Sequence, residues 1–90
     1  MFFHVQLIDD QDHPERRPAH REAHWQYFDD HRDHFIARGA TLTDDMERYL
    51  SSVLYVEFDG WDDVRRFIDN EPLNSNGVYR EVRIKLGIRS

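Results

Sequence analysis

Apolar and polar residues alternate at the start of the chain. Phe3, Val5 and Leu7 are separated by His4 and Gln6, the period-two pattern of a strand with one buried face. The turn formers Asp9-Asp10-Gln11-Asp12-His13-Pro14 follow, so the first strand is expected over residues 2 to 8. From Pro18 to about Arg38 there is no glycine and no further proline. Trp25, Phe28, Phe35 and Ile36 fall on one side of a helical wheel there, with Asp29, Asp30 and Asp33 on the other. This predicts one long amphipathic helix stopped by Gly39. Thr41-Leu42-Thr43 reads as a short second strand before the polar Asp44-Asp45 turn. Val53-Leu54-Tyr55-Val56-Glu57-Phe58 is a third strand, apolar on both faces and therefore covered on both. After Asp59-Gly60, the residues Trp61, Val64, Phe67 and Ile68 recur at helical steps until Pro72. The last element runs from Val78 to Leu86, with Val78, Val82, Ile84 and Leu86 facing one way and Tyr79, Glu81, Arg83 and Lys85 the other.

The order is thus β-α-β-β-α-β in a single domain over residues 1–90, with no repeat, linker or low-complexity segment. That order is the α+β, ferredoxin-like plan, a four-stranded antiparallel sheet with both helices on one face. Its other face lies bare. A second copy of the same sheet is the simplest cover for it, so a two-fold homodimer is expected.

Composition adds weight to this. Ninety residues bury only about two-thirds of the surface that the unfolded chain exposes. Cysteine is absent, which removes disulfides and thiolate metal sites and leaves oligomerisation as the way to enlarge a thin core. No secretory leader or membrane-length apolar run is seen, so the chain is read as soluble and cytoplasmic, without a membrane partner. A net charge of -6 with scattered Lys and Arg argues against nucleic acid, whose phosphates need a basic stripe. Protonating all six histidines would bring the formal charge from -6 to 0, so the electrostatics should change strongly as pH falls from about 7 to 5.

Five residues in the first helix concentrate the candidate chemistry. At about 100° per residue, His20, His24, Tyr27, His31 and His34 form one stripe beside the apolar face. There they would look into a groove between helix and sheet, where small-molecule sites tend to lie. Taken singly, each is an ordinary solvated histidine of a polar helix. His20 and His24 have the i, i+4 spacing of a helical metal pair, yet His20-Arg21-Glu22-Ala23-His24 lacks the carboxylate position of the H-E-x-x-H pattern. No resident metal is assigned. A histidine steadied by a carboxylate is the commoner chemistry, because the carboxylate fixes the tautomer and favours the imidazolium formed on proton abstraction. Spacing alone supplies no such partner: Asp29 points away, and Glu71 reads as a last-turn surface residue of the second helix.

Several segments are similar to those of YciI-like (YCII-related) proteins. Arg21-Glu22-Ala23-His24, with Gly39 fifteen residues after the histidine, resembles that family's R-P-A-H…G segment. Val53-Leu54-Tyr55-Val56-Glu57 resembles its third strand. Asn70-Glu71-Pro72-Leu73 and Gly77-Val78-Tyr79-Arg80-Glu81-Val82-Arg83-Ile84 are similar to its A-D-P-Y…A-G-V-F-E-x-V-x-I ending. The resemblance implies a dimeric α+β barrel and a histidine–carboxylate dyad, which falls on His24 and Glu71. Two departures stand out: Glu71 replaces an aspartate, and Glu22 replaces the proline two before the histidine. Arg17-Pro18-Ala19-His20 repeats the motif one turn earlier, and the spacing to Gly39 favours His24 over it. The implied function is a small-molecule enzyme of lyase, isomerase or dehydrochlorinase type, with His24 as general base and Glu71 orienting it. Tyr27, His31 and His20 would line the same pocket as substrate-binding groups. No organic cofactor is implied, since no phosphate-cradling glycine loop is present. The competing readings are a non-catalytic ligand-binding or regulatory dimer, and a metal-binding protein using His20 and His24.

Overall fold

The computed structural model describes residues 1–90. Its elements are β1 (Phe2–Asp9), α1 (Arg16–Ala19), α2 (Arg21–Asp30), a 3-10 turn (Arg32–His34), β2 (Phe35–Leu42), β3 (Tyr49–Glu57), α3 (Trp61–Asp69), α4 (Pro72–Ser75) and β4 (Tyr79–Gly87). The strands form one antiparallel sheet in the order β2-β3-β1-β4, the ferredoxin-like arrangement.

The period-two pattern of β1 decides where the core lies. Phe3, Val5 and Leu7 have no exposed surface, and their partners Val56 and Leu54 on β3 share that face. Val64, Phe67 and Ile68 of α3 and Phe28 of α2 close over them, so both main helices cover the same side. Phe67 is the hinge of an aromatic cluster, with ring centroids 5.1 Å from Phe58, 5.8 Å from Phe35 and 6.1 Å from Phe28. On the opposite side Phe2 stacks on Tyr55 at 5.6 Å and His4 tilts against the same ring at 5.0 Å. Val53 and Gln6 are paired on this outer face, and no element of the chain covers it.

The long first helix does not form. The chain is helical only to Asp30, and Phe35 and Ile36 begin β2. Two features account for the shortened helix. His20 leaves helical geometry at φ -120°, splitting α1 from α2. The last turn of α2 then holds Asp29 and Asp30 and no basic residue, so two negative charges face the negative end of the helix dipole. Gly39 is not a helix stop; it pairs with Val53 in the middle of β2. The second strand accordingly spans Phe35–Leu42 rather than residues 41 to 43. Phe28 and Phe35 do meet, at 4.8 Å, but one stands on a helix and the other on a strand. Trp25 is left 54% exposed.

A second departure lies in β4. A bulge between Ile8 and Asp9 on one strand and Glu81 and Tyr79 on the other sets Tyr79 opposite Asp9. Tyr79 therefore shares the helix-covered face with Asp9, instead of the outer face with Glu81, Arg83 and Lys85.

Phe67→Ala removes the ring at the centre of the aromatic cluster and is expected to cost about 3–5 kcal/mol of unfolding free energy. Urea denaturation monitored by circular dichroism reads this as a lower midpoint with an unchanged slope.

Candidate active site around His24

A small helix makes the site. Pro72 at the first helical position fixes the backbone for α4, and Glu71 caps it: Oε1 accepts from the Leu73 amide at 3.1 Å and Oε2 from the Asn74 amide at 3.1 Å. Both oxygens act as acceptors, the pattern of a carboxylate. Glu71 has no exposed surface, so its remaining acceptor capacity must also be met from within the protein. His24 meets it. One turn before Phe28 on α2, His24 lies with its ring centroid 4.2 Å from that ring and its Nδ1 2.5 Å from Glu71 Oε1. With the carboxylate accepting, Nδ1–H is the donor and the lone pair is left on Nε2.

Nε2 has no hydrogen-bond partner in the chain, yet no buried side-chain nitrogen or oxygen lacks one. Nε2 is therefore not fully enclosed by the protein. His24 lines a cleft of about 270 Å³ together with Arg17, Arg21, Trp25, Phe28, Arg38, Tyr49 and Ser52, among others.

The floor of this cleft is a second buried polar group. Arg17 clasps Asp9 with two hydrogen bonds, Nε to Oδ2 at 2.8 Å and Nη2 to Oδ1 at 2.6 Å. Its Nη2 also donates to Ser52 Oγ at 3.0 Å, and Ser52 Oγ shares a 2.7 Å hydrogen bond with Tyr79 Oη. Burial works against the Arg17 charge, but the bonds to Asp9 and the fields of Tyr79 and Asp9 outweigh it and raise the guanidinium pKa above its ordinary value. Burial and the nearby Glu71 carboxylate push the Tyr79 phenol well above its usual range, with Ser52 and Arg17 offsetting only part of this. None of these groups stood out in the sequence except as charged or aromatic residues of a polar segment. The available signal was Arg17 and Arg21 at i, i+4, which one helical face would place side by side.

The histidine stripe is dispersed. Tyr27 lies about 60° round α2 from His24, and His31 caps the end of that helix; both line a separate, larger cleft of about 720 Å³ between α2, α3 and the start of the sheet. Their polar atoms are already engaged there, Tyr27 Oη donating to the Phe67 carbonyl at 2.7 Å and His31 Nδ1 bonding the Tyr27 carbonyl at 2.7 Å. Burial first, and then Glu71, raise the Tyr27 phenol. His34 stacks on Phe58 at 4.2 Å beside that same cleft. His20, at the break between α1 and α2, lines a surface hollow with Trp25 and does not approach Glu71. The residues expected in a single pocket therefore line three hollows: within α2 His24 turns to Glu71 while Tyr27 turns to the Phe67 carbonyl, His31 follows Tyr27 at the end of the helix, and the break at His20 carries that residue away from the others. The larger cleft has no histidine–carboxylate pair, so its size does not make it the reactive one. No group of three or more His, Asp or Glu side chains is arranged to hold a metal ion.

The native Tyr79 phenol keeps its proton at pH values where an unfolded one, with a pKa of about 10, releases it. Its contribution to stability is complete below about pH 10 and falls away as pH rises toward the native value. Tyr79→Phe is expected to flatten the loss of stability between about pH 9.5 and pH 11, as measured by paired urea denaturations of the variant and the parent protein.

No curated protein matches the chain significantly. Among solved structures, the 5-chloro-2-hydroxyhydroquinone dehydrochlorinase TftG from Burkholderia phenoliruptrix, in complex with 2,5-dihydroxybenzoquinone, superposes with a TM-score of 0.90 at 24% identity. The match covers 100% of this chain and 96% of that one, which establishes a shared fold. The family model described as the YCII-related domain matches residues 1–86. With nearly every residue inside that match, the chain belongs to the YCII-related domain family.

Proposed function

We propose that this chain is a small-molecule enzyme, a lyase, isomerase or dehydrochlorinase, in which His24 Nε2 is the general base and Glu71 holds the ring. The observation behind this reading is the division of labour on one imidazole of the cleft: Nδ1 is bound to a buried carboxylate, and Nε2 is unpaired and not fully enclosed. A base so held needs no reorientation before it removes a proton, and the carboxylate stabilises the imidazolium that results. The proton would come from a hydroxyl or an activated C–H of the substrate, and its electrons would expel a leaving group or shift a double bond. The dehydrochlorinase with the same fold acts on a chlorinated hydroxyhydroquinone, and an aromatic-lined cleft suits a substrate of that kind.

Chloride release from 5-chloro-2-hydroxyhydroquinone is the direct assay. His24→Ala is expected to lower turnover about 10²- to 10⁴-fold, with circular dichroism checking that the fold is kept. Glu71→Gln keeps the shape but not the charge; it is expected to lower kcat more than it raises KM and to move the acidic limb of the pH profile. Binding of the ring without chloride release would favour the ligand-binding reading instead. Equal turnover by His24→Ala and the parent protein would remove His24 from the chemistry.

We infer also that the outer sheet face, with Phe2, Tyr55 and Val53 left uncovered, packs against a second copy. A stable pair of this kind buries at least about 1,200 Å² in total. Light scattering at micromolar concentration is expected to give twice the chain's 10.9 kDa; a monomeric mass would refute the pairing.

A further inference from the structure

The walls of the His24 cleft carry three guanidinium groups and no carboxylate: Arg17, Arg21 and Arg38 line it, while Glu71 sits behind the imidazole with no exposed surface. The bias is local, because the chain as a whole has 18 acidic residues against 12 basic ones. The larger cleft follows the overall composition, with Asp33, Glu57, Asp59 and Asp63 against Arg66. Each of the three arginines lies near the face of an aromatic ring that also lines the site. Arg17 is 4.5 Å from the Tyr49 ring centroid, Arg38 is 5.5 Å from that of Phe28, and Arg21 is 5.8 Å from that of Trp25. Planar cations held beside planar rings make a site shaped for a flat ligand.

The three are not equivalent. The Arg17 charge is committed to Asp9, and its role is the floor of the cleft. Arg38 reaches Asp29, but that pair is open to water, its side chains 41% and 60% exposed, so the contact is weak and exchangeable. Arg21 takes part in no ion pair of the chain and faces the cleft with its donors available. At about 270 Å³ the space is at the lower end for a small-molecule site, room for one ring and its substituents.

We propose that the His24 cleft selects a single-ring aromatic oxyanion, with Arg21 and Arg38 as the residues that bind its negative oxygen. This rests on the general-base reading and extends it. An anion clamped beside His24 brings the reacting ring to Nε2, and the same arginines stabilise the oxyanion charge that grows as the proton leaves.

Calorimetric titration with 2,5-dihydroxybenzoquinone, ionised at neutral pH, is the first test, with uncharged hydroquinone as the neutral ring and benzoate as an aryl carboxylate. The ionised quinone is expected to bind more tightly than hydroquinone, and added salt to weaken only the charged ligand. Arg21→Gln and Arg38→Gln should each loosen it roughly ten- to hundredfold, leaving hydroquinone unchanged. Arg65→Gln, on the exposed side of α3, removes the same net charge and should change neither. Tighter binding of benzoate than of the quinone would assign the site to aryl carboxylates. Equal affinities for charged and neutral rings, no binding of either anion, or the same loss in Arg65→Gln would overturn the proposal. The two readings fail separately: His24→Ala should lower chloride release about 10²- to 10⁴-fold while keeping arginine-dependent binding. Binding that persists with turnover unaffected by His24→Ala would remove the base and leave the anion site standing.

Discussion

Glu71 makes the strongest demand on the rest of the molecule. A carboxylate out of contact with water is tolerable only if its oxygens are met by donors, and three are supplied: the Leu73 and Asn74 amides and the His24 ring. Each requires a piece of architecture. The amides exist because Pro72 starts a short helix at the right place, and the ring exists there because α2 lies across the sheet with Phe28 in the core one turn after His24. Glutamate is not the usual residue for capping a helix. Its side chain is long enough to cap α4 with both oxygens and still meet His24 on α2.

A second constraint meets the first from below. The Asp9–Arg17 clasp, Ser52 and Tyr79 form a connected polar group on the covered face of the sheet, and every buried side-chain donor and acceptor is satisfied. The bulge in β4 is what admits Tyr79 to it. Such groups are costly to disturb in part, since removing one member leaves another buried and unpaired. The cleft therefore has rigid walls on two sides, Glu71 behind the imidazole and Arg17 beneath, and a more open rim at Trp25, Arg21 and Arg38.

Legibility in the sequence followed burial. β1, β3, α3 and most of β4 could be read because each has one face in the core and therefore a clear period. β2 could not, because an edge strand with Arg38, Gly39 and Ala40 exposed carries no alternation, and Phe35 and Ile36 happened to extend the helical wheel of α2. The same extension puts His34 on the helix, whereas Tyr27 shares α2 with His24 and is separated from it only by where the two side chains turn. The contact between His24 and Glu71 came from family resemblance and not from spacing, since forty-seven residues separate them and only the folded sheet brings α4 under α2. The arginines do not stand out in the string because arginine is ordinarily a solvated residue; what distinguishes these is that they line one cleft whose walls carry no carboxylate, a fact about space that a linear string does not contain.

The position of β1 in the middle of the sheet has a consequence for how the chain reaches this state. β1 is read first from the amino terminus, but its neighbours are β3 and β4, and its first residue Phe2 is matched with Gly87. Its apolar edge must therefore wait, while the chain is being made, for segments that emerge many seconds later, at synthesis rates of about 5–20 residues per second. Contacts so distant in sequence are slow to close. The same strand that anchors the finished core is thus the most vulnerable stretch of the nascent chain, and the His4 and Gln6 that interrupt its apolar residues help to keep it from pairing with the wrong partner in the interval.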